Sequence, residues 1–167
     1  MISGKITVRM ARSEDREALI GIKRRASLAV ETGEVLQHLL DEPGHLDVDN
    51  ELLASGQVIV AECNRAPVGF GSFLVAGSDV ADLEGLFVEP SYWRRGIGQR
   101  ILRAVERELV ARQATSIRVV VALSAMPFYR SAGFTVIGEE KTQLGPLAPV
   151  MAKALSCPSQ MKKGTSS

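Results

Sequence analysis

Val88-Glu89-Pro90-Ser91-Tyr92-Trp93-Arg94-Arg95-Gly96-Ile97-Gly98 joins an apolar, β-branched run to a segment with helical periodicity, and the fold is read outward from it. Two glycines beside a first helical turn allow close approach to the backbone, where the leading N–H groups of a helix have no partner within it. A phosphate fits above such a turn. Arg94, Arg95 and Arg100 add local positive charge there. Gly-x-Gly before a helix can also serve only to turn a strand into that helix. A dinucleotide-binding unit wants the turn after the first strand and an acidic residue ~20 positions on. Ile117-Arg118-Val119 occupies that region and offers no acid.

Downstream, Ile97, Ile101, Leu102, Val105 and Leu109 form the apolar stripe of a helix from about residue 97 to 112. Ile117 to Val121 is almost continuously apolar and reads as a central strand. A short helix over 125–132, closed by Gly133, and two strands around 134–140 and 147–155 complete the ordered chain. Residues 156–167 are polar with Pro, Gly and Ser, which predicts a disordered tail after a single domain over 1–155.

Upstream, Val58 to Cys63, Val68 to Ala76 and Val80 to Val88 are separated by short turn signals, which predicts an antiparallel meander. Ser13 can cap a first helix carrying Glu14 and Asp15 in its first turn and Leu19, Ile22, Ala26 and Ala29 on one face. A second short helix fits Glu34 to Leu40, ended by Pro43-Gly44, and the segment from His45 to Ser55 is ambiguous. Gly69-Phe70-Gly71 lies inside a strand and marks a bulge or close packing. The order is two helices, a meander, a long helix, a strand, a short helix and two strands, an α/β arrangement with a mixed sheet.

Composition limits the partners. A chain of 167 residues with 46% hydrophobic and 23% charged residues has the usage of one globular domain. A net charge of +1 offers no general field for nucleic acid or an anionic membrane, so neither is expected as a partner and any anion site is local. Apolar runs are too short to span a bilayer, and the first residues lack a secretory signal, which makes the cytoplasm the expected compartment. Cys63 and Cys157 read as free thiols, His38 and His45 as surface histidines, and no metal site is evident.

The central stretch resembles the GNAT superfamily of acetyl-CoA-dependent N-acetyltransferases. Leu86-Phe87-Val88-Glu89-Pro90 is similar to the family's strand end, and Arg94-Arg95-Gly96-Ile97-Gly98 to its pyrophosphate loop, with Trp93 standing where the family has Gln or Arg. Leu123-Ser124-Ala125-Met126-Pro127-Phe128-Tyr129-Arg130-Ser131-Ala132-Gly133-Phe134 resembles the later motif, with Ser124 in place of Asn. Val150 to Leu155 resembles the closing strand, so the likeness runs over about residues 6 to 155. It implies a mixed, mostly antiparallel seven-stranded sheet flanked by about four helices, with a splay between strands four and five.

The resemblance also implies site roles. Backbone groups of Leu86, Phe87 and Val88 hold the pantetheine arm of acetyl-CoA, and amides from Arg95 to Gln99, with Ile97 among them, take the pyrophosphate. Ser124 and Phe128 contribute to the cofactor site. The Val88 N–H stabilises the oxyanion. Tyr129 protonates the departing thiolate, unless Phe128-Tyr129 is ordinary aromatic packing. An amine acceptor, small or part of a peptide or protein, must lose a proton. Glu84 is the preferred base and Asp82 the second, since a regular strand places both on one face with Leu86; an exposed edge carboxylate is the competing reading. Direct transfer in a ternary complex is expected, because no positioned Cys/His pair suggests an acyl-enzyme. A catalytically weak acyl-CoA-binding sensor stays open as a second class, separable by thiol release. Acidic residues between 30 and 56 hint at a cationic acceptor or form a solvated face. An exposed apolar strand near the C-terminus permits a homodimer.

Overall fold

Why the chain turns where it does is clearest at residues 64 and 65, where Asn64 (φ 52°) and Arg65 (φ 70°) both adopt the left-handed conformation that a two-residue hairpin requires. The computed structural model describes residues 4–30, 33–41, 43–75, 79–142 and 147–155. The expected tail, with Cys157, lies outside them, as do the side chains of His38 and His45. The strands are β1 (Ile6–Met10), β2 (Val58–Cys63), β3 (Ala66–Leu74), β4 (Val80–Val88), β5 (Ser116–Val120), β6 (Thr135–Lys141) and β7 (Leu147–Ala154). The helices are α1 (Arg16–Val30), α2 (Gly33–Asp41), α3 (Asn50–Ala54), α4 (Ile97–Ala111) and α5 (Met126–Ser131).

All seven strands form one sheet in the order β1-β2-β3-β4-β5-β7-β6. Every pairing is antiparallel except β4 with β5. Ile97, Ile101, Leu102, Val105 and Leu109 of α4 bury against one face, together with Tyr129 and Phe134, as the helical period predicts. On the other face Leu19 and Ile22 of α1 and Leu52 and Leu53 of α3 pack against Val58, Val60 and Phe70. The glycines of β3 are the close-packing kind: a Cβ on Gly69 would lie 2.9 Å from Ile101 Cδ1, and one on Gly71 2.9 Å from Ile101 Cγ2. That intimacy seats α4 directly on the sheet.

Four details differ from the sequence reading. Ser13 caps nothing in α1; a 3-10 turn over Ser13–Asp15 precedes the helix, and the Arg12 N–H donates to the Asp15 carboxylate at 2.7 Å. Ala29 is exposed while Ser27 is buried, because the apolar stripe runs out before the last turn of α1. The ambiguous segment holds α3, whose start is fixed by Asp49 accepting the Glu51 N–H at 2.8 Å. Finally, β5 is interior but covered on one side only: Ile117 and Val119 are buried, whereas Val120 is 38% exposed.

Candidate active site

Strand β4 is paired on both edges for only half its length. Val80 to Leu83 pair with Ser116 to Val119, after which β4 and β5 share no further partners. On its other edge β4 stays with β3, where Phe87 faces Phe70 and Val88 faces Gly69. The Glu89 N–H donates to the Val68 carbonyl at 2.8 Å. Antiparallel bonding alternates residue by residue, so this phase turns the N–H and C=O groups of Leu86 and Val88 away from β3, leaving both groups of Leu86 and the Val88 N–H to the opening beside β5, while the Val88 carbonyl is taken by the Trp93 indole. The splay expected between strands four and five is therefore present, and its wall is polar backbone.

The loop beyond it gathers free amides and positive charge. Arg94 (φ 65°) and Gly96 (φ 76°) both take the left-handed conformation, uncommon for an arginine, and such alternation turns successive N–H groups to one side. Gly96 is the N-cap of α4, and the first helical bond there runs from Arg100 N–H to Gly96 O, which leaves the amides of Ile97, Gly98 and Gln99 without helical partners. A Cβ on Gly96 would meet nothing within 4 Å, whereas one on Gly98 would lie 3.3 Å from Phe128 Cε1. Gly98 thus makes room for Phe128, and Gly96 is the residue that faces open space. Arg94, Arg95 and Arg100 are exposed. Trp93 donates its indole N–H to the Val88 carbonyl at 2.7 Å and so fastens the end of β4 to the loop.

Helix α5 closes the same end. Phe128 lies against Gly98 and stacks edge-on with Tyr129, centroids 5.0 Å apart, and Tyr129 meets Phe134 at 5.3 Å. Tyr129 is 6% exposed, and burial pushes its phenol well above the usual tyrosine range. The hydroxyl therefore stays protonated and has a proton to give. Its ring packs as an ordinary core aromatic, so the packing and the acid are not exclusive readings. Ser124 is exposed on the 3-10 turn before α5.

Across β4 from α4, a cleft of about 680 Å³ is lined by Lys23, Asp47, Asp49, Glu51, Phe70, Ser72, Glu84 and Phe87, among others. Here one expectation fails. The β3 partners step from Ser72–Gly85 to Phe73–Leu83, so Glu84 sits in a bulge. The side-chain parity of β4 reverses there: Ala81 and Leu83 belong to the α4 core, yet so do Leu86 and Val88. Glu84 consequently shares the cleft with Phe87 and lies on the opposite face from Leu86. Desolvation, and then repulsion from Asp82 and Asp49, raises its carboxyl above the ordinary range, against the pull of Arg118 and Lys23. Asp82 is committed elsewhere. Arg118 Nε donates to it at 2.9 Å while the same guanidinium reaches Glu140 at 2.8 Å.

Two residues of α1 join the site without having been anticipated. Lys23 Nζ donates to the Asp47 carbonyl at 2.8 Å and sits 5.6 Å from the Phe87 ring centroid. Arg25 grips Glu89 with two bonds, 2.6 and 2.8 Å, tying α1 to the loop entrance; its guanidinium lies over Gly21, where a Cβ would come within 3.1 Å. The available signal was positional, since Lys23 falls four residues after Leu19 and beside Ile22, inside the apolar stripe.

Residues 54–136 match the model of the acetyltransferase (GNAT) domain. The chain belongs to the GNAT acetyltransferase family. Uncharacterized N-acetyltransferase YafP of Escherichia coli is 31% identical over 93 residues, which are 56% of this chain and 55% of that protein, so the match spans about half of the relative's length. The GNAT fold is shared with PaiA N-acetyltransferase from Thermoplasma acidophilum, solved in complex with coenzyme A, at a TM-score of 0.73 and 21% identity over 90% of this chain and 99% of that one. It is shared equally with the ribosomal-protein-S18-alanine N-acetyltransferase from Escherichia coli, at 0.68 and 22% over 92% and 96%. Among the described residues of this GNAT chain, no helix is long and apolar enough to cross a membrane, and no group of three or more His, Cys, Asp or Glu could hold a metal ion.

Proposed function

We propose that this protein is an N-acetyltransferase that moves an acetyl group from acetyl-CoA to an amine held in the Glu84 cleft, by direct transfer. One observation carries the reading: the N–H and C=O groups of Leu86 and the N–H of Val88 open into the splay immediately before a loop whose amides and arginines face outward. The residues fit the cofactor, because the left-handed Arg94 and Gly96 and the open space above Gly96 suit a pyrophosphate. Leu86, Phe87 and Val88 would align the pantetheine arm, and Ile97, Gly98 and Gln99 would donate to the phosphates. Bound there, acetyl-CoA supplies an activated acyl group.

The chain's own residues supply the rest. The Val88 N–H, fixed by the strand, is a preorganised donor for an oxyanion at the splay. Glu84, with its carboxyl raised above the ordinary range by desolvation, accepts a proton from the amine directly or through water. Asp82, held by Arg118, is the weaker candidate. Tyr129 keeps its proton at neutral pH and can give it to a leaving thiolate. Calorimetry with acetyl-CoA, followed by free-thiol release across a panel of amines, tests the reading. Binding without thiol release for any amine would instead favour a sensor with the same fold, and absence of binding would reject both.

A further inference from the structure

We propose that Lys23 is itself an acceptor, a site at which the protein acetylates its own chain. This inference rests on the N-acetyltransferase reading above. Lys23 belongs to the buried side of α1, between Leu19, Ile22 and Ala26, so its side chain runs into the cleft between α1 and β4 and is only partly exposed. Its Nζ is held there by the Asp47 carbonyl at 2.8 Å and over the Phe87 ring at 5.6 Å. Asp47, Asp49, Glu51 and Glu84 line the same space. Carbonyl, aromatic face and nearby carboxylates are what a primary alkylammonium acceptor needs; the cleft already gives the first two to a primary amine and lines the same space with the third.

Position along β4 strengthens the point. Phe87, beneath Nζ, stands between Leu86 and Val88, whose backbone faces the splay. An amine tethered at that place needs no encounter from solution, and such tethering raises effective concentration by orders of magnitude. Desolvation also lowers the Lys23 ammonium below the ordinary lysine value, against the attraction of Asp47 and Glu84, which increases the neutral fraction that can react. The remaining lysines among the described residues lack this setting: Lys5 and Lys141 are exposed, and Lys153 is paired with Glu106 at 2.9 Å.

The step balances. The Nζ ammonium gives one proton to Glu84 or water and, as the free amine, forms a bond to the acetyl carbonyl carbon; the C–S bond of the thioester breaks; the nitrogen gives up its second proton as the amide forms, and the thiolate, leaving with the bonding pair, takes up one, so that one proton is released in all. The products are an uncharged amide at Lys23 and free coenzyme A. The cleft loses its lining ammonium and gains one unit of negative charge, which changes what further amine it admits.

The test incubates the full chain with acetyl-CoA and no added amine, then maps acetylated peptides by mass spectrometry over time. Lys23 should be modified at least about tenfold faster than Lys5 and Lys141, at a rate unchanged by diluting the protein, and excess free coenzyme A should suppress only Lys23. A Gly96→Val variant, checked for folding by its melting curve, should lose the same selectivity. Lys23 modified no faster than Lys5 and Lys141, or unaffected by excess coenzyme A, overturns the proposal, and a rate that falls in proportion to dilution overturns transfer within one chain. Calorimetry and thiol release run in parallel separate the two readings. Acetyl-CoA binding and turnover of added amines with Lys23 unmodified reject self-acetylation alone, whereas no acetyl-CoA binding rejects both.

Discussion

The two sides of the β4 strand end are made of opposite materials. Toward α4 the surface is backbone: amides of Val88, Ile97, Gly98 and Gln99, a left-handed Gly96, and exposed Arg94, Arg95 and Arg100. Toward α1 it is side chains: Glu84 of β4, Lys23 of α1, Glu51 of α3 and its N-cap Asp49, with Lys23 and Glu84 partly desolvated and acting on each other. Backbone amides keep their polarity at any pH, while the cleft's charges depend on burial and on their neighbours. Cofactor affinity should therefore be nearly independent of pH in the neutral range, and acceptor chemistry should carry the pH dependence.

The sharpest way to break that contrast is Tyr129→Phe, on the cofactor side but acting by side chain. It should lower turnover by about 10² to 10⁴-fold with acetyl-CoA affinity and fold retained, since the ring still packs between Phe128 and Phe134. A thioester with a less basic leaving thiol should recover much of the loss; an equal defect with both thioesters would make the hydroxyl a positioning group. Next in size is Gly96→Val, which puts a β-branched residue at φ 76° and a side chain into the open space above the loop. Calorimetry should show affinity for acetyl-CoA weakened about tenfold or more, about 1.4 kcal/mol. Unchanged affinity in a folded variant would remove the loop from the site.

Glu84→Gln sharpens the other half. The deficit in turnover should be largest near neutral pH, where the carboxylate is ionised and an alkylamine is not yet free base, and should shrink as pH rises toward the amine's own pKa near ~10.4. Stability should move the opposite way from a catalytic loss. The folded carboxyl is raised above its unfolded value, so ionising it costs stability as pH climbs through the interval between the two. Glu84→Gln should thus melt at or above the wild-type temperature at pH 7, with no such gain below the unfolded pKa. The smallest effect is expected for Arg25→Gln. Its pair with Glu89 is more than half exposed on the arginine side and worth about 0.2 to 1 kcal/mol by thermal or denaturant unfolding.

Local features of the site were legible because they are contiguous. Gly96 and Gly98 announce the loop, and the stripe from Ile97 to Leu109 announces the helix that follows it. What could not be read is set across strands or between elements. The bulge at Glu84 depends on how Ser72 and Phe73 pair with β4, so parity counted along β4 alone placed Glu84 with Leu86. The ion pair of Asp82 with Arg118 joins positions 36 apart, and that of Arg25 with Glu89 positions 64 apart. Which of the two loop glycines faces open space is likewise decided from afar, by Phe128 of a separate helix lying against Gly98. Lys23 is the instructive omission, because a charged residue inside an apolar stripe is itself a sequence signal.

Trp93, the chain's only tryptophan, bonds the carbonyl of Val88 and remains 39% exposed. The protein therefore carries a native optical probe on the strand end proposed to hold the cofactor. Indole emission responds to solvent access and to the bond at its N–H, so occupancy of the neighbouring opening should be readable as a shift or quench with no label attached. As the chain's one indole, it reports from that place alone when excited beyond the absorption of the two tyrosines.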